Sequence, residues 1–167
     1  MKREEFLKKS CPIMVLSILA TAEMMISCQD SITEEPISKE ESEYLTRLKD
    51  IGTKGYLQEQ ANVYINMKHD TYYPLSTVNN FVNDQINGIL ILRKDASTIL
   101  AFDNCCPHLG SRDQWSYKSS KFTCANHGNS FGINTGQIAN CNSNTNFGNL
   151  KAYKTTLYKD LLTINFS

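Results

Sequence analysis

Two short segments, CPHLG at residues 106–110 and CANHG at residues 124–128, carry the main chemical signal of this 167-residue chain. Each segment has one cysteine, one histidine and a final glycine, and fifteen residues separate the first histidine from the second cysteine. Thiolates and imidazoles are ligands that iron and zinc accept in proteins. The pattern therefore predicts a metal centre. Its predicted ligands are Cys106, His108, Cys124 and His127.

These paired segments closely resemble the ligand motif of the Rieske family. The resemblance covers roughly residues 61–166 and includes Gly110 and Gly128, which allow sharp turns. It implies a 2Fe–2S cluster in which the two cysteines bind the inner iron and the two histidines bind the outer iron. Neutral imidazoles lower the negative charge around the iron that accepts the electron, so the reduction potential rises above that of an all-cysteine cluster.

The residues around the motif indicate an all-β domain. From Ala61 onward, short runs of β-branched and aromatic residues alternate with turn residues. The resemblance implies a Rieske-like antiparallel β-sandwich over residues 61–167, with a cluster-binding tip of three loops. The predicted strands cover residues 63–67, 71–75, 81–82, 88–93, 99–102, 121–123, 130–133, 137–139, 151–157 and 161–166.

Four positions depart from the respiratory members of the family. Those proteins have a further cysteine in each ligand loop, joined as a disulfide, whereas Ser111 and Asn126 stand there in this chain. They also have serine and tyrosine hydroxyls that donate hydrogen bonds to cluster sulfurs, where this chain has Asn129 and Phe131. Because fewer donors stabilise the reduced cluster, we expect a lower reduction potential than in the respiratory proteins.

Cys105 and Cys141 remain after the other cysteines are assigned to the cluster, the lipidation site and the signal peptide. An even remainder in an exported chain favours a disulfide, which would tie the first ligand loop to the third loop. Two buried thiols are the alternative. The sequence also leaves open that Cys105 replaces Cys106 as a ligand.

The N-terminus resembles a bacterial lipoprotein signal. Basic residues precede an apolar run that ends before Cys28, which predicts a signal peptide at residues 1–27 and lipidation of Cys28. The protein would then be lipid-anchored in a bacterial cell envelope, facing the periplasm or the surface. Cleavage after Ala22 without lipidation and an uncleaved anchor are the alternatives.

Residues 28–60 are polar and acidic, which predicts a tether between the anchor and the β domain. Ser38 and Glu41 have the spacing of a capping box, so a short helix over residues 38–49 is predicted within the tether. Basic and acidic residues are equal at 17 each, which excludes a strongly basic surface for nucleic acid. No apolar stretch reaches the about 20 residues that span a bilayer.

The remaining residues do not predict a substrate site. A Rieske oxygenase binds a second iron through two histidines and a carboxylate, and only His69, in a polar turn with no predicted role, is left for it. We therefore expect an electron carrier or an oxidoreductase subunit. It would exchange one electron at a time with an unidentified redox protein.

The alternative is a cell-envelope lipoprotein that uses the fold as a structural or binding module with zinc or no metal. Zinc sites usually keep like ligands adjacent, whereas cysteine and histidine alternate here, which favours the cluster. Proteins exported with an inserted cofactor commonly have a twin-arginine signal, and residues 2–9 contain only one arginine. Either the cluster is assembled after export or the domain has lost its metal.

Overall fold

The computed structural model describes residues 37–167, so the predicted signal peptide and Cys28 lie outside the described residues. In that range no helix has both the length and the apolar character that a membrane span needs. Two short 3-10 helices lie at Gly52–Lys54 and Asp70–Ser76. The other elements are α1 (Lys39–Ile51), β1 (Tyr56–Glu59), β2 (Asn62–Asn66), β3 (Phe81–Asp84), β4 (Ile89–Arg93), β5 (Ile99–Asp103), β6 (Trp115–Lys118), β7 (Lys121–Cys124), β8 (Asn129–Gly132), β9 (Ala152–Tyr158) and β10 (Leu161–Asn165).

Helix α1 begins where the capping pattern predicts. Ser38 is the N-cap, and its hydroxyl accepts a hydrogen bond from the backbone N–H of Glu41 at 3.1 Å. This bond satisfies one of the amides that the first turn of a helix leaves unpaired. The predicted short helix is confirmed, and it extends to Ile51, two residues beyond its predicted end.

The folded domain begins earlier than residue 61. Tyr44 and Ile51 of α1 are buried against Tyr64 of β2, and strand β1 pairs along its length with β2. The described part of the predicted tether, from residue 37 to residue 60, is therefore an integral part of the domain. The acidic composition of this segment reflects the solvent-facing side of α1, whereas Tyr44, Leu48 and Ile51 face the sheet.

Seven strands form one antiparallel sheet in the order β1-β2-β10-β9-β5-β4-β3. The start of β9 pairs with β5 and the rest of β9 pairs with β10, so β9 joins the two halves of this sheet. Val63 and Ile65 of one half share a buried core with Ile89 and Ile91 of the other half. The predicted antiparallel β-sandwich is thus confirmed.

Strand β4 is buried on both faces and connects this first core to a second one. Leu90 and Leu92 pack on the opposite face of β4, together with Phe122 from the small sheet β6-β7-β8. Double-sided burial explains why β4 is continuously apolar and does not alternate with polar residues. Cys106 and Cys124 belong to the second core, so the small sheet and both ligand loops are packed against the larger sheet.

The predicted strand at residues 71–75 is wrong, because these residues lie in the 3-10 helix Asp70–Ser76. Tyr72 and Leu75 are buried while their neighbours are not, and a spacing of three residues is the period of a 3-10 helix. Pro74 also lacks the N–H that a central strand donates. A segment of five residues is too short to distinguish the two-residue period of a strand from the three-residue period of a 3-10 helix.

His69, for which the sequence predicts no role, caps this 3-10 helix. Its Nδ1 accepts a hydrogen bond from the backbone N–H of Thr71 at 3.3 Å. Its Nε2 lies 3.1 Å from the carbonyl oxygen of Thr53 and can donate to it. Because Nδ1 is the acceptor, Nε2 carries the proton. The histidine therefore links two turns of the fold.

Two strands were missed, and a second strand, besides that at residues 71–75, was overpredicted. Strands β1 and β6 have only four residues each, none of them fully buried, which is too short a pattern to predict a strand. The predicted strand at residues 137–139 is reduced to an isolated bridge between Ile138 and Asn149. Both differences concern strands at a sheet edge or in loops, where pairing depends on distant parts of the chain.

The buried tyrosine of the 3-10 helix provides a test of the first core. Tyr72 donates a hydrogen bond to Asp84 Oδ2 at 2.8 Å, and both side chains are buried. Burial raises the pKa of Tyr72 far above its usual value, and the charge of Asp84 raises it further, so the hydroxyl keeps its proton. We expect Tyr72→Phe to lower the free energy of unfolding by about 2 kcal/mol, because a buried carboxylate loses a donor.

Urea titrations of the wild type and of Tyr72→Phe measure this difference in the free energy of unfolding. Tyr73→Phe is the matched control, since the adjacent tyrosine is 70% exposed. Its free energy of unfolding should change by less than about 0.5 kcal/mol. Equal losses in the two variants would contradict a role for the Tyr72–Asp84 hydrogen bond.

Candidate metal centre

The two ligand loops are closed by the same backbone turn. The N–H of Gly110 donates to the carbonyl oxygen of Cys106 at 2.8 Å, and the N–H of Gly128 donates to that of Cys124 at 3.0 Å. The two glycines have φ angles of 77° and 72°, in the left-handed region that side chains disfavour. The first loop follows β5 and the second connects β7 to β8. The repeated glycine in the motif thus has a geometric cause.

The structure brings the four predicted ligands together as two like pairs. Cys106 and Cys124 are both buried, in the same core cluster. The rings of His108 and His127 meet edge to face, with centroids 4.8 Å apart. Burial raises the pKa of the Cys124 thiol, and the neighbouring Cys106 thiol raises it further. Among residues 37–167, no three His, Cys, Asp or Glu side chains are placed so that they could together hold one single metal ion.

One ring nitrogen at this site has no partner. His108 Nδ1 is buried, and nothing in the described part of the chain hydrogen-bonds to it. Buried polar atoms are nearly always paired, because an unpaired one costs about 1–3 kcal/mol. An imidazole nitrogen that binds iron must have its lone pair free of other partners, and His108 Nδ1 meets this requirement. The donor set, two thiols and two imidazoles, therefore fits a 2Fe–2S cluster.

The third loop, residues 134–149, is fastened to the first ligand loop. A disulfide joins Cys105 to Cys141, whose Cα atoms are 5.3 Å apart. Beyond the disulfide, three successive N–H groups of the third loop donate to three successive carbonyl oxygens of the first. The pairs are Asn142 to Cys106 at 3.3 Å, Ser143 to Pro107 at 2.8 Å and Asn144 to His108 at 3.1 Å. The disulfide and the three hydrogen bonds keep the same separation of 36 residues, so the loops run in register.

The second ligand loop is joined to the first by a hydrogen bond. Asn126 Nδ2 donates to Ser111 Oγ, and these are the two positions where the respiratory Rieske proteins resembled by the motif have their disulfide. A side-chain hydrogen bond stabilises by only about 1 kcal/mol. The covalent restraint on the first ligand loop in this chain therefore comes from the third loop.

A polar network around the buried Asn104 holds both ends of the first ligand loop. Asn104, which precedes the loop, is fully buried; its amide donates to Asn83 Oδ1 at 3.0 Å and accepts from Arg112 Nη1 at 2.5 Å. Arg112, which follows the loop, also pairs with Asp103 at 3.2 Å. The network sets the separation of the loop ends. Sequence reasoning missed Asn104 and Arg112, because their only signal is their position beside the motif.

Removing the central amide of this network should destabilise the domain. We expect Asn104→Ala to lower the free energy of unfolding by about 2 kcal/mol, because Asn83 and Arg112 lose buried partners. Asn146→Ala, at an exposed asparagine of the third loop, is the control and should change it by less than about 0.5 kcal/mol. Urea unfolding monitored by tryptophan fluorescence measures both. An Asn104→Ala variant with the free energy of unfolding of the wild type would show that the network does not stabilise the loop.

Residues 64–154 match the family model described as the Rieske [2Fe-2S] domain, and all four predicted ligands fall in that range. Among solved structures, the chain is similar to the cyanobacterial plasma membrane Rieske protein PetC3 from Synechocystis PCC 6803. That alignment has 17% identity and a TM-score of 0.34, and it covers 71% of this chain and 93% of that chain. No curated protein matches the chain significantly.

Proposed function

Because the matched residues 64–154 make up more than half of the chain, the protein belongs to the Rieske [2Fe-2S] domain family, and we propose that it is a membrane-tethered electron carrier. The domain binds a 2Fe–2S cluster and has an iron–sulfur electron-transfer role. The observation that carries the ligand assignment is the buried, unpartnered Nδ1 of His108, two residues from the buried thiol of Cys106.

When bound, the cluster supplies one reversible electron per chain. Cys106 and Cys124 would hold one iron as thiolates, after their buried thiols give up their protons. His108 and His127 would hold the other iron as neutral imidazoles. The second core excludes water from the cysteine side, because both thiols are packed among its apolar side chains.

The two histidines would form the route for electrons. His127 is exposed and His108 is half-buried, whereas the two cysteines are buried. A partner can therefore approach the histidine edges more closely than any other part of the site. We infer that an oxidoreductase of the cell envelope exchanges single electrons with the domain at these edges.

The lipid anchor is supported by the basic and apolar N-terminus and by its end at Cys28. Expression of the full chain in bacteria supplied with labelled palmitate tests it. We expect the label on the wild-type chain and none on Cys28→Ser. Labelling that persists in Cys28→Ser, or a wild-type chain without label, would contradict the anchor.

Electron paramagnetic resonance of the full chain, before and after dithionite, tests the carrier function. We expect a Rieske-type signal only in the reduced protein, with two irons and two acid-labile sulfides per chain. A chain that binds zinc or no metal after anaerobic reconstitution would instead support a structural or binding module. Iron, sulfide and zinc are assayed on the same sample.

The positions of Asn129 and Phe131 predict how the reduction potential responds to substitution. Phe131 is fully buried and packs edge-on against Trp115, so it offers no hydroxyl to the site. We expect Phe131→Tyr combined with Asn129→Ser to raise the midpoint potential by about 60 mV. This is the effect of about 1.4 kcal/mol of hydrogen bonding to the reduced form of a one-electron couple.

Protein-film voltammetry measures the shift. Phe122→Tyr is the control, because Phe122 is another buried aromatic of the same core but does not occupy a position where the respiratory Rieske proteins have a hydroxyl donor. Its potential should stay within about 15 mV of the wild type, since no hydroxyl is added beside the ligands. A double variant without a rise in potential would refute the assignment of residues 129 and 131 to the cluster environment.

A further inference from the structure

Asparagine recurs at every second position of the third loop from residue 140 to residue 146. Two of these asparagines, Asn142 and Asn144, have φ angles of 54°, in the left-handed region, whereas Ser143 between them does not. Asparagine tolerates this region better than most residues that have a side chain. Both side chains are exposed, so packing does not explain the choice of residue. The backbone conformation does.

The alternating backbone gives these residues a set of hydrogen bonds to the first ligand loop. Alternation of left-handed and ordinary conformations turns successive N–H groups to one side of the chain. The N–H groups of residues 142–144 donate, one to one, to the carbonyl oxygens of residues 106–108. The hydroxyl of Ser143 also donates to the carbonyl oxygen of Asn140 at 2.8 Å. Together these bonds fix the register of the third loop on the first.

This register decides which of two adjacent cysteines meets Cys141. Cys105 and Cys106 are consecutive in the chain. In the observed register Cys141 lies opposite Cys105 and is bonded to it. A shift of the third loop by one residue would place Cys141 opposite Cys106, which is a predicted ligand. A disulfide formed there would occupy a thiol that the cluster needs.

The two disulfides can interconvert without an oxidant. A Cys106 thiolate that attacks the sulfur of Cys141 forms the new S–S bond and releases Cys105 as a thiolate, which takes up a proton. One disulfide breaks as the other forms, so no electrons are gained or lost. In the unfolded chain the two pairings have nearly the same closure entropy, because their loops differ by one residue. The choice between them therefore depends on the fold.

We propose that Asn142 and Asn144 are positioning residues of the metal centre. Their left-handed conformation sets the register, the register gives Cys141 to Cys105, and the Cys106 thiol stays free for iron. Cys106 itself packs in the second core. The disulfide pairing can be measured in the unloaded chain, whereas its benefit to the cluster rests on the ligand assignment proposed above.

Differential alkylation of the full, unloaded chain tests the pairing. Cys124→Ser is included in every chain, so that Cys106 has no thiol partner in the second core. After equilibration in a glutathione redox buffer, acid quenching and denaturation, free thiols are blocked with N-ethylmaleimide, and disulfides are then reduced and labelled with iodoacetamide. Tandem mass spectrometry assigns each label to Cys105 or Cys106.

The wild-type register predicts a strong preference in this assay. We expect the iodoacetamide label on Cys105 at least about twentyfold more often than on Cys106, because the pairing is supported by three hydrogen bonds. After equilibration in guanidinium chloride the two cysteines should be labelled about equally. A folded chain that shows no preference for Cys105 would overturn the proposal.

Substitution of the two asparagines separates the backbone conformation from the side chains. Asn142→Val with Asn144→Val should lower the preference for Cys105 at least about fivefold, because β-branched residues disfavour a left-handed backbone. Asn142→Gly with Asn144→Gly should keep the preference, since glycine adopts positive φ. Asn146→Val is the matched control in the same loop, because Asn146 is exposed and its φ is not positive.

The pattern across these variants decides the proposal. An unchanged preference in the valine pair would overturn it, and so would an equal loss in the glycine pair or in Asn146→Val. Near-ultraviolet circular dichroism shows whether the valine pair is folded. If it is not, Asn142→Val alone takes its place and should show a smaller loss of the same sign.

Iron content connects the pairing to the metal centre. With Cys124 retained, the valine pair refolded under oxidising conditions should bind less than about half of the wild-type iron, because part of its Cys106 is held in a disulfide. Adding Cys141→Ser to the valine pair should restore the initial iron content. Iron that stays low would overturn the proposal. A wild-type chain that has a free Cys106 but binds no iron would instead refute the ligand assignment and leave the pairing result unchanged.

Discussion

Cys141→Ser is expected to lower the free energy of unfolding of the unloaded chain by about 4 kcal/mol, the loss predicted for opening a loop of this length. The disulfide with Cys105 closes a loop of 36 residues. That loop includes both ligand segments, β6, β7 and β8, so the disulfide restrains nearly the whole cluster-binding region. Urea unfolding under non-reducing conditions measures the loss.

The same substitution should also release the cluster. Without the disulfide, the described part of the chain retains three backbone hydrogen bonds between the third loop and the first ligand loop. Each of these contributes about 1 kcal/mol, and together they order a loop rich in asparagine only weakly. We expect the loaded Cys141→Ser variant to lose its visible absorbance at least about tenfold faster than the wild type in the presence of an iron chelator.

Cys105→Ser and the Cys105→Ser/Cys141→Ser double variant are the controls for this prediction. If the disulfide is the cause, Cys105→Ser, Cys141→Ser and the double variant should lose the same stability, because each removes one bond. The double variant also leaves no free thiol to exchange with Cys106, which is the neighbour of Cys105. Additive losses in the double variant, or a wild-type chain unaffected by a dithiol reductant, would refute the restraint.

His108→Ala and His127→Ala are each expected to reduce the iron content of the reconstituted chain below about a tenth of the wild-type value. His108 has the buried nitrogen without a partner, and its ring meets that of His127. Loss of either imidazole would leave one iron with an open position. Cys106→Ser and Cys124→Ser should have the same effect, because they remove the buried thiolates.

His69→Ala is the matched control among the three histidines of the chain. It should keep the wild-type iron content and lose about 1 kcal/mol of stability, because it removes the cap of the 3-10 helix. Iron, acid-labile sulfide and urea midpoints on the same samples separate the two kinds of loss. A Cys106→Ser variant that keeps its cluster would assign that ligand position to Cys105.

Local patterns predicted the parts of the molecule whose causes are local. The capping pair Ser38 and Glu41 located the start of α1, because a helix start needs an acceptor for an amide three residues away. The ligand segments were identified because each turn contains its cysteine, its histidine and its glycine within five residues. Such turns are closed by their own backbone, so their residues are adjacent in sequence.

Features that depend on distant contacts were wrong or missing. Residues 71–75 have the short alternation that predicts a strand, but they form a 3-10 helix. In this helix Tyr72 is buried and donates a hydrogen bond to Asp84. The acidic composition of the segment before residue 61 predicted a tether, whereas the apolar side of its helix packs against β2. The buried amide of Asn104 had no pattern at all, because its partners Asn83 and Arg112 lie outside its own turn.

The identity of the chain as a Rieske domain, its predicted ligand set and its β class thus follow from residues that are close together in sequence. Other features follow only from the folded chain. They are the register of the third loop on the first, the polar network around Asn104, and the proximity of the two thiols and of the two histidine rings. Each of these joins segments that are remote in sequence. Such contacts depend on which faces the sheets bury together, and no local periodicity records that choice.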